Sequence, residues 1–155
     1  MSAEDGLSEP VVEVSDRQEL LGIDPTAVDS LVRFVLREEE ASGTVEVVFV
    51  DDAEIADLHL RFLAVEGPTD VITFPLPADE AEPGSTLLGE IVVSTETAIR
   101  QAPEYGNEPL QEALLYVVHG VLHLLGYDDH DEDEAERMAE RQQLLLGAWS
   151  RTGSL

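Results

Sequence analysis

The stretch HGVLHLLGYDDHDEDE, residues 119–134, holds three of the chain's four histidines, His119, His123 and His130; the fourth is His59. The residues before it, PLQEALLYVV (109–118), open with a proline and continue with apolar side chains, a pattern that predicts a helix carrying the first two histidines. Residues four apart on a helix lie on one face, so His119 and His123 present two imidazoles to one point, a bidentate grip on a transition metal. Gly126 lets the chain reverse, and Asp128, Asp129 and His130 then come within reach as a third ligand. Two helical ligands plus one from a turn leave a fourth position open, as in catalytic rather than structural zinc sites, where metal-bound water is the nucleophile.

The neighbouring residues divide into candidates and bystanders. The run DDHDEDE reads mainly as the solvated start of a further helix, where acids suit the macrodipole. It is not a calcium-binding EF-hand loop, because no glycine turn precedes it and Ala135 follows too soon. Glu112 lies seven residues before His119 on the same predicted face and is either an exposed acid or a partner that supports the metal ligands. His59 has no partner in sequence and is expected at the surface. In zinc peptidases of the H-E-x-x-H type a glutamate follows the first histidine as general base. Here that position is Gly120, so a peptidase lacks its base, whereas phosphodiester hydrolysis can proceed by metal activation and electrostatic stabilisation.

Working outward, 155 residues with 43% hydrophobic content suffice for one domain with a real core. There is no cysteine, which excludes disulfides and thiolate metal sites, so any metal is held by His, Asp or Glu. No apolar run is long enough to span a bilayer. The acidic start MSAEDGLSEP is unlike a secretory signal, and a cytoplasmic protein is expected. The net charge is −26, with 34 acids against eight basic residues, all arginine. This field repels nucleic acid unless salt screens it, and adaptation to high internal salt, a halophilic habit, is the expected cause.

Strands are predicted at 10–14, 44–50, 70–75 and 87–94, and helices from Pro25 to about Glu40, from an Asp52 cap through Leu63, from a Ser94 or Thr95 cap to Gln101, from Pro109, and from Asp133 to Leu146, ending at Gly147. Ile55, Leu58 and Phe62 are expected to share the buried face of the second helix. Residues 1–9 read as a flexible acidic tail, 76–86 as a flexible acidic connection, and 10–155 as a single metallohydrolase domain. The elements imply an α+β fold: one mixed four-stranded sheet with packed helices and a zincin-like metal site.

These motifs together resemble the bacterial YbeY family. HGVLHLLGYD resembles its signature, GPTDVITFP (67–75) its P-T-D segment, and LLGEIVVS (87–94) its L-G-[DE]-I segment; Gln101–Ala102, Glu112 and EAERM (134–138) follow in matching order. The resemblance covers roughly residues 25–147. It implies a single-strand-specific, metal-dependent endoribonuclease that holds one zinc ion, acts in 16S ribosomal RNA 3′-end maturation and ribosome quality control, and has ribosomal RNA and the ribosomal subunit as partners, with no membrane. Two departures stand out. The family's third histidine ligand falls at Asp129, because EAERM keeps register without a gap; His130, one place later, is the alternative. The family's usual arginine after an aromatic is here Leu63, following Phe62. The alternative functions are a non-catalytic, metal-stabilised ribosome-assembly factor and a metallopeptidase.

Overall fold

The computed structural model describes residues 9–75 and 88–152. The expected tail, apart from Glu9, and the expected connection at 76–86 lie outside the described residues. The described chain runs β1 (Val11–Asp16), α1 (Pro25–Glu38), β2 (Thr44–Val50), α2 (Asp52–Leu63), β3 (Val71–Pro75), β4 (Gly89–Ser94), α3 (Thr95–Gln101), a 3-10 turn (Ala102–Tyr105), α4 (Pro109–Leu124) and α5 (Glu132–Ser150).

The strands form one mixed sheet in the order β1-β2-β4-β3. The first three are parallel, and β3 runs antiparallel against β4 at the edge, with Ile72 opposite Val92 and Phe74 opposite Glu90. Side chains alternate between faces along a strand, and the two faces have separate cores. Val45, Val47, Phe49, Ile91 and Val93 point toward α1, α4 and α5 and join a cluster with Leu31, Val117, Val121 and Trp149. Val48, Val50, Ile72 and Val92 point the other way and bury Ile55 of α2. The chain therefore folds as three layers, with α4 the most deeply buried helix: every residue from Glu112 to Val118 is buried.

Helix starts follow the sequence closely. Asp24 caps α1 through Thr26 N–H, with Pro25 first in the helix. Of the two candidates for α3, Ser94 is the cap, accepting from Thr97 N–H at 3.1 Å. For α2 the cap is Asp51, not Asp52; its carboxylate accepts from Glu54 N–H at 2.9 Å. Asp52 instead ties α2 to the β4–α3 corner, accepting from the Ser94 and Thr97 hydroxyls, each at 2.6 Å, and from Arg100 at 2.8 Å. Burial would raise its pKa, but these hydrogen bonds and the Arg100 charge hold it below the ordinary value.

Two expectations about burial need correction. On α2, Ile55 is fully buried, Leu58 packs partly, and Phe62 is 58% exposed, meeting Phe74 only edge-on at 5.6 Å. The last helix does not stop at Gly147. A helical glycine costs roughly 1 kcal/mol against alanine, and the burial of Leu145, Leu146 and Trp149, with Trp149 Nε1–H donating to Ser30 at 3.1 Å, offsets it and carries α5 to Ser150. Among the described residues no helix is long and apolar enough to cross a membrane.

Candidate metal centre

The site sits where α4 ends. The last carbonyls of α4 are satisfied by a tight reversal: Tyr127 N–H donates to Leu122 C=O and Gly126 N–H to His123 C=O, both at 3.0 Å. This pattern needs a left-handed residue at the turn, and Gly126 supplies it with φ of 105°. The chain then doubles back toward the histidines. Tyr127 fixes the return, its hydroxyl donating to Glu39 at 2.7 Å. The other Glu39 oxygen accepts from two nitrogens of Arg141 on α5, at 2.7 and 2.6 Å. A largely buried ion pair thus anchors the turn between α1 and α5.

Asp129 is the residue this return delivers. Its Oδ2 lies 3.6 Å from His123 Nε2 and 3.9 Å from His119 Nε2. The imidazole rings are 4.7 Å apart between centres and inclined at 77°. One ligand atom from each of His119, His123 and Asp129 lies within 4.8 Å of the other two, the one such triad of His, Cys, Asp or Glu side chains among the described residues. Donors about 2.0–2.1 Å from a tetrahedral zinc are about 3.3–3.4 Å apart. The two separations from Asp129, 3.6 and 3.9 Å, therefore need close by only about 0.2–0.6 Å. Two imidazole nitrogens and one carboxylate oxygen are a donor set that suits zinc. His130 is turned away: it is 84% exposed and its Nδ1 pairs with Asp128 at 2.8 Å.

The tautomer of His119 is set by a residue that sequence reading missed. Its Nδ1 lies 2.9 Å from Gln142 Oε1. An amide oxygen only accepts, so Nδ1 carries the proton and Nε2 offers a lone pair to the site. Glu112 does not play this part. It is buried, about two helical turns from His119, and accepts from Asn107 Nδ2 at 2.7 Å. It is thus neither an exposed acid nor a partner of a ligand histidine; it packs the opposite end of α4.

The triad opens into a cleft of about 430 Å³ whose far wall is the C-terminal half of α2 and the approach to β3. His59, expected at the surface, lines this cleft, as do Leu63 and Asp70.

A family model described as endoribonuclease YbeY matches residues 13–150. Among proteins of similar sequence, an endoribonuclease YbeY of Mycolicibacterium gilvum is 41% identical over 149 residues, covering 89% of this chain and 82% of its own. One of Carboxydothermus hydrogenoformans is 36% identical over 141 residues, covering 89% and 96%. A protein of Thermotoga maritima with a known solution structure is 28% identical, with a TM-score of 0.61 over 93% of this chain and 95% of its own.

Proposed function

The chain belongs to the YbeY endoribonuclease family, and from that premise we propose that it is a zinc-dependent hydrolase that cuts single-stranded RNA. Its substrate in this reading is precursor 16S ribosomal RNA near the 3′ end, its partner the ribosomal subunit, its compartment the cytoplasm, and ribosome quality control its wider role. The observation that carries the reading is the convergence of His119 Nε2, His123 Nε2 and Asp129 Oδ2 at the floor of an open cleft.

A zinc ion held there supplies Lewis acidity toward a phosphodiester and toward water. The protein does the rest. Gln142 keeps the His119 lone pair aimed at the site. The Glu39–Arg141–Tyr127 group holds the turn that carries Asp129.

The peptidase alternative loses further ground. Position 120 faces the sheet, where even a β-carbon would lie 2.6 Å from Ile91 Cγ2. A glutamate there could not reach the cleft to act as base. The test is to incubate the zinc-loaded protein with a single-stranded RNA spanning the 16S 3′ end and, separately, with casein. RNA cleavage that is lost in His119→Ala is the expected result; cleavage of casein alone would reverse the assignment.

A further inference from the structure

The cleft beside the triad must accept a polyanion, yet among the described residues no arginine lines it, and the chain has no lysine. Among the described residues, five of the eight arginines pair with carboxylates elsewhere, from Arg17 with Glu54 to Arg141 with Glu39. The walls instead carry Asp70 and Asp129. Apart from His119 and His123, His59 is, among the described residues, the only cleft residue able to bear a positive charge.

We propose that His59 contacts a phosphate of the bound RNA through Nε2, in the place of an arginine. The inference rests on the ribonuclease reading above. Its geometric basis is the hydrogen bond between His59 Nδ1 and Gly67 C=O, at 2.9 Å. A carbonyl only accepts, so Nδ1 carries a proton in either state of the ring. A further proton can go only to Nε2. The imidazolium then has a single free N–H, with its charge, to offer a phosphate oxygen, and such charge-assisted hydrogen bonds are the strong ones. The titratable groups that share this cleft are Asp70 before β3, His119 and His123 on α4, and Asp129 in the turn.

The ring is held from both ends of the α2 turn. Val65 N–H donates to the His59 carbonyl at 3.2 Å, and the loop it begins returns at Gly67 to fix the imidazole. Leu63 is four residues on, one turn along the same helix face, 51% exposed and in the same cleft. A guanidinium at position 63 would therefore reach the same space.

The decisive variants are His59→Asn, Leu63→Arg and the two combined. Asparagine places an amide N–H near the position of Nδ1, so it preserves the Gly67 hydrogen bond while presenting nothing at Nε2. Each zinc-loaded variant is assayed for cleavage of a single-stranded RNA oligonucleotide and, metal-free, for binding of the same oligonucleotide by fluorescence anisotropy. His59→Asn should weaken binding and raise KM by about tenfold or more, with zinc content and thermal stability unchanged, and Leu63→Arg should restore most of the loss. Wild-type behaviour in His59→Asn overturns the proposal. So does loss of zinc, which would make His59 a metal ligand, and so does a double variant no better than His59→Asn. Wild-type protein that binds RNA in a His59-dependent way without cutting it supports this contact while removing the hydrolase reading; wild-type protein that neither binds nor cuts overturns both.

Discussion

A β-carbon built on Gly120 would lie 2.6 Å from Cγ2 and 3.1 Å from Cγ1 of Ile91. The absence of a side chain is what lets α4 lie close against β4, with His119 and His123 beside the edge strand β3. Gly120→Ala removes a helical glycine, a gain of about 1 kcal/mol, and creates an overpacked contact, a loss of about 1–3 kcal/mol. Ile91 branches at Cβ and cannot swing its near methyl away, so net destabilisation is expected. Ile91→Ala should relieve it, making Gly120→Ala neutral or stabilising in that background. Urea unfolding of the four proteins gives the coupling; strictly additive effects would show that the two residues do not press on each other.

Gln142→Ala should weaken zinc binding about 10–100-fold while leaving the fold intact, because the side chain orients His119 and fills little of the core. Competition with a chelator of known affinity measures this, and unchanged affinity would mean that the His119 tautomer is fixed by something else.

The third ligand separates two neighbours. Asp129→Ala is expected to abolish the tight zinc site, and His130→Ala to leave it within about threefold, since a surface ion pair such as His130–Asp128 is worth little. Zinc titrations of both variants decide it; the opposite pattern would place His130 at the metal.

The same residues show how far the sequence could be read. Strand and helix periodicities, and the caps at Asp24 and Ser94, are local signals, and the structure follows them. Asp51 and Asp52 are adjacent acids at one helix start, and only the distant hydroxyls of Ser94 and Thr97 separate their roles. Gly147 reads as a stop because the burial that overrides it belongs to Trp149 packing on α1. His59 looks solitary because its partners, Gly67 and the cleft, are assembled by tertiary structure. Gln142 did leave a trace: it falls in line with Met138, Leu145 and Trp149 on the buried stripe of α5. A polar residue on such a stripe demands a partner, although the pattern does not say that the partner is His119.

The charge of −26 carries its own expectation. RNA affinity and cleavage should rise from low salt toward about molar KCl, because the Debye length falls to about 3 Å and the repulsion between protein and RNA is screened. A basic nuclease does the opposite, losing affinity as counterion release weakens. A monotonic fall of activity with added KCl would sink the salt-adapted reading.

The sheet itself should show a pH effect. Glu46 and Glu90 stand directly opposite each other on β2 and β4, and Glu13 stands opposite Glu46 on β1. Like charges facing across strands are destabilising. Burial first, and then the hydrogen bond and charge of Glu46, raise the Glu90 pKa above its ordinary value of 4.5, with Arg17 opposing. The fold thus favours protonated Glu90. Its stabilising contribution is complete below 4.5 and is lost as pH rises through the higher folded value. Glu90→Gln keeps the hydrogen-bonding shape without the charge. It should raise stability at neutral pH by up to about 1 kcal/mol, a modest gain because water screens this half-exposed pair, and the gain should vanish near pH 4. Thermal unfolding of both proteins from pH 4 to pH 8 tests the sign: a stability difference that is constant across that range, or larger in acid, would show that Glu90 is not the group being relieved.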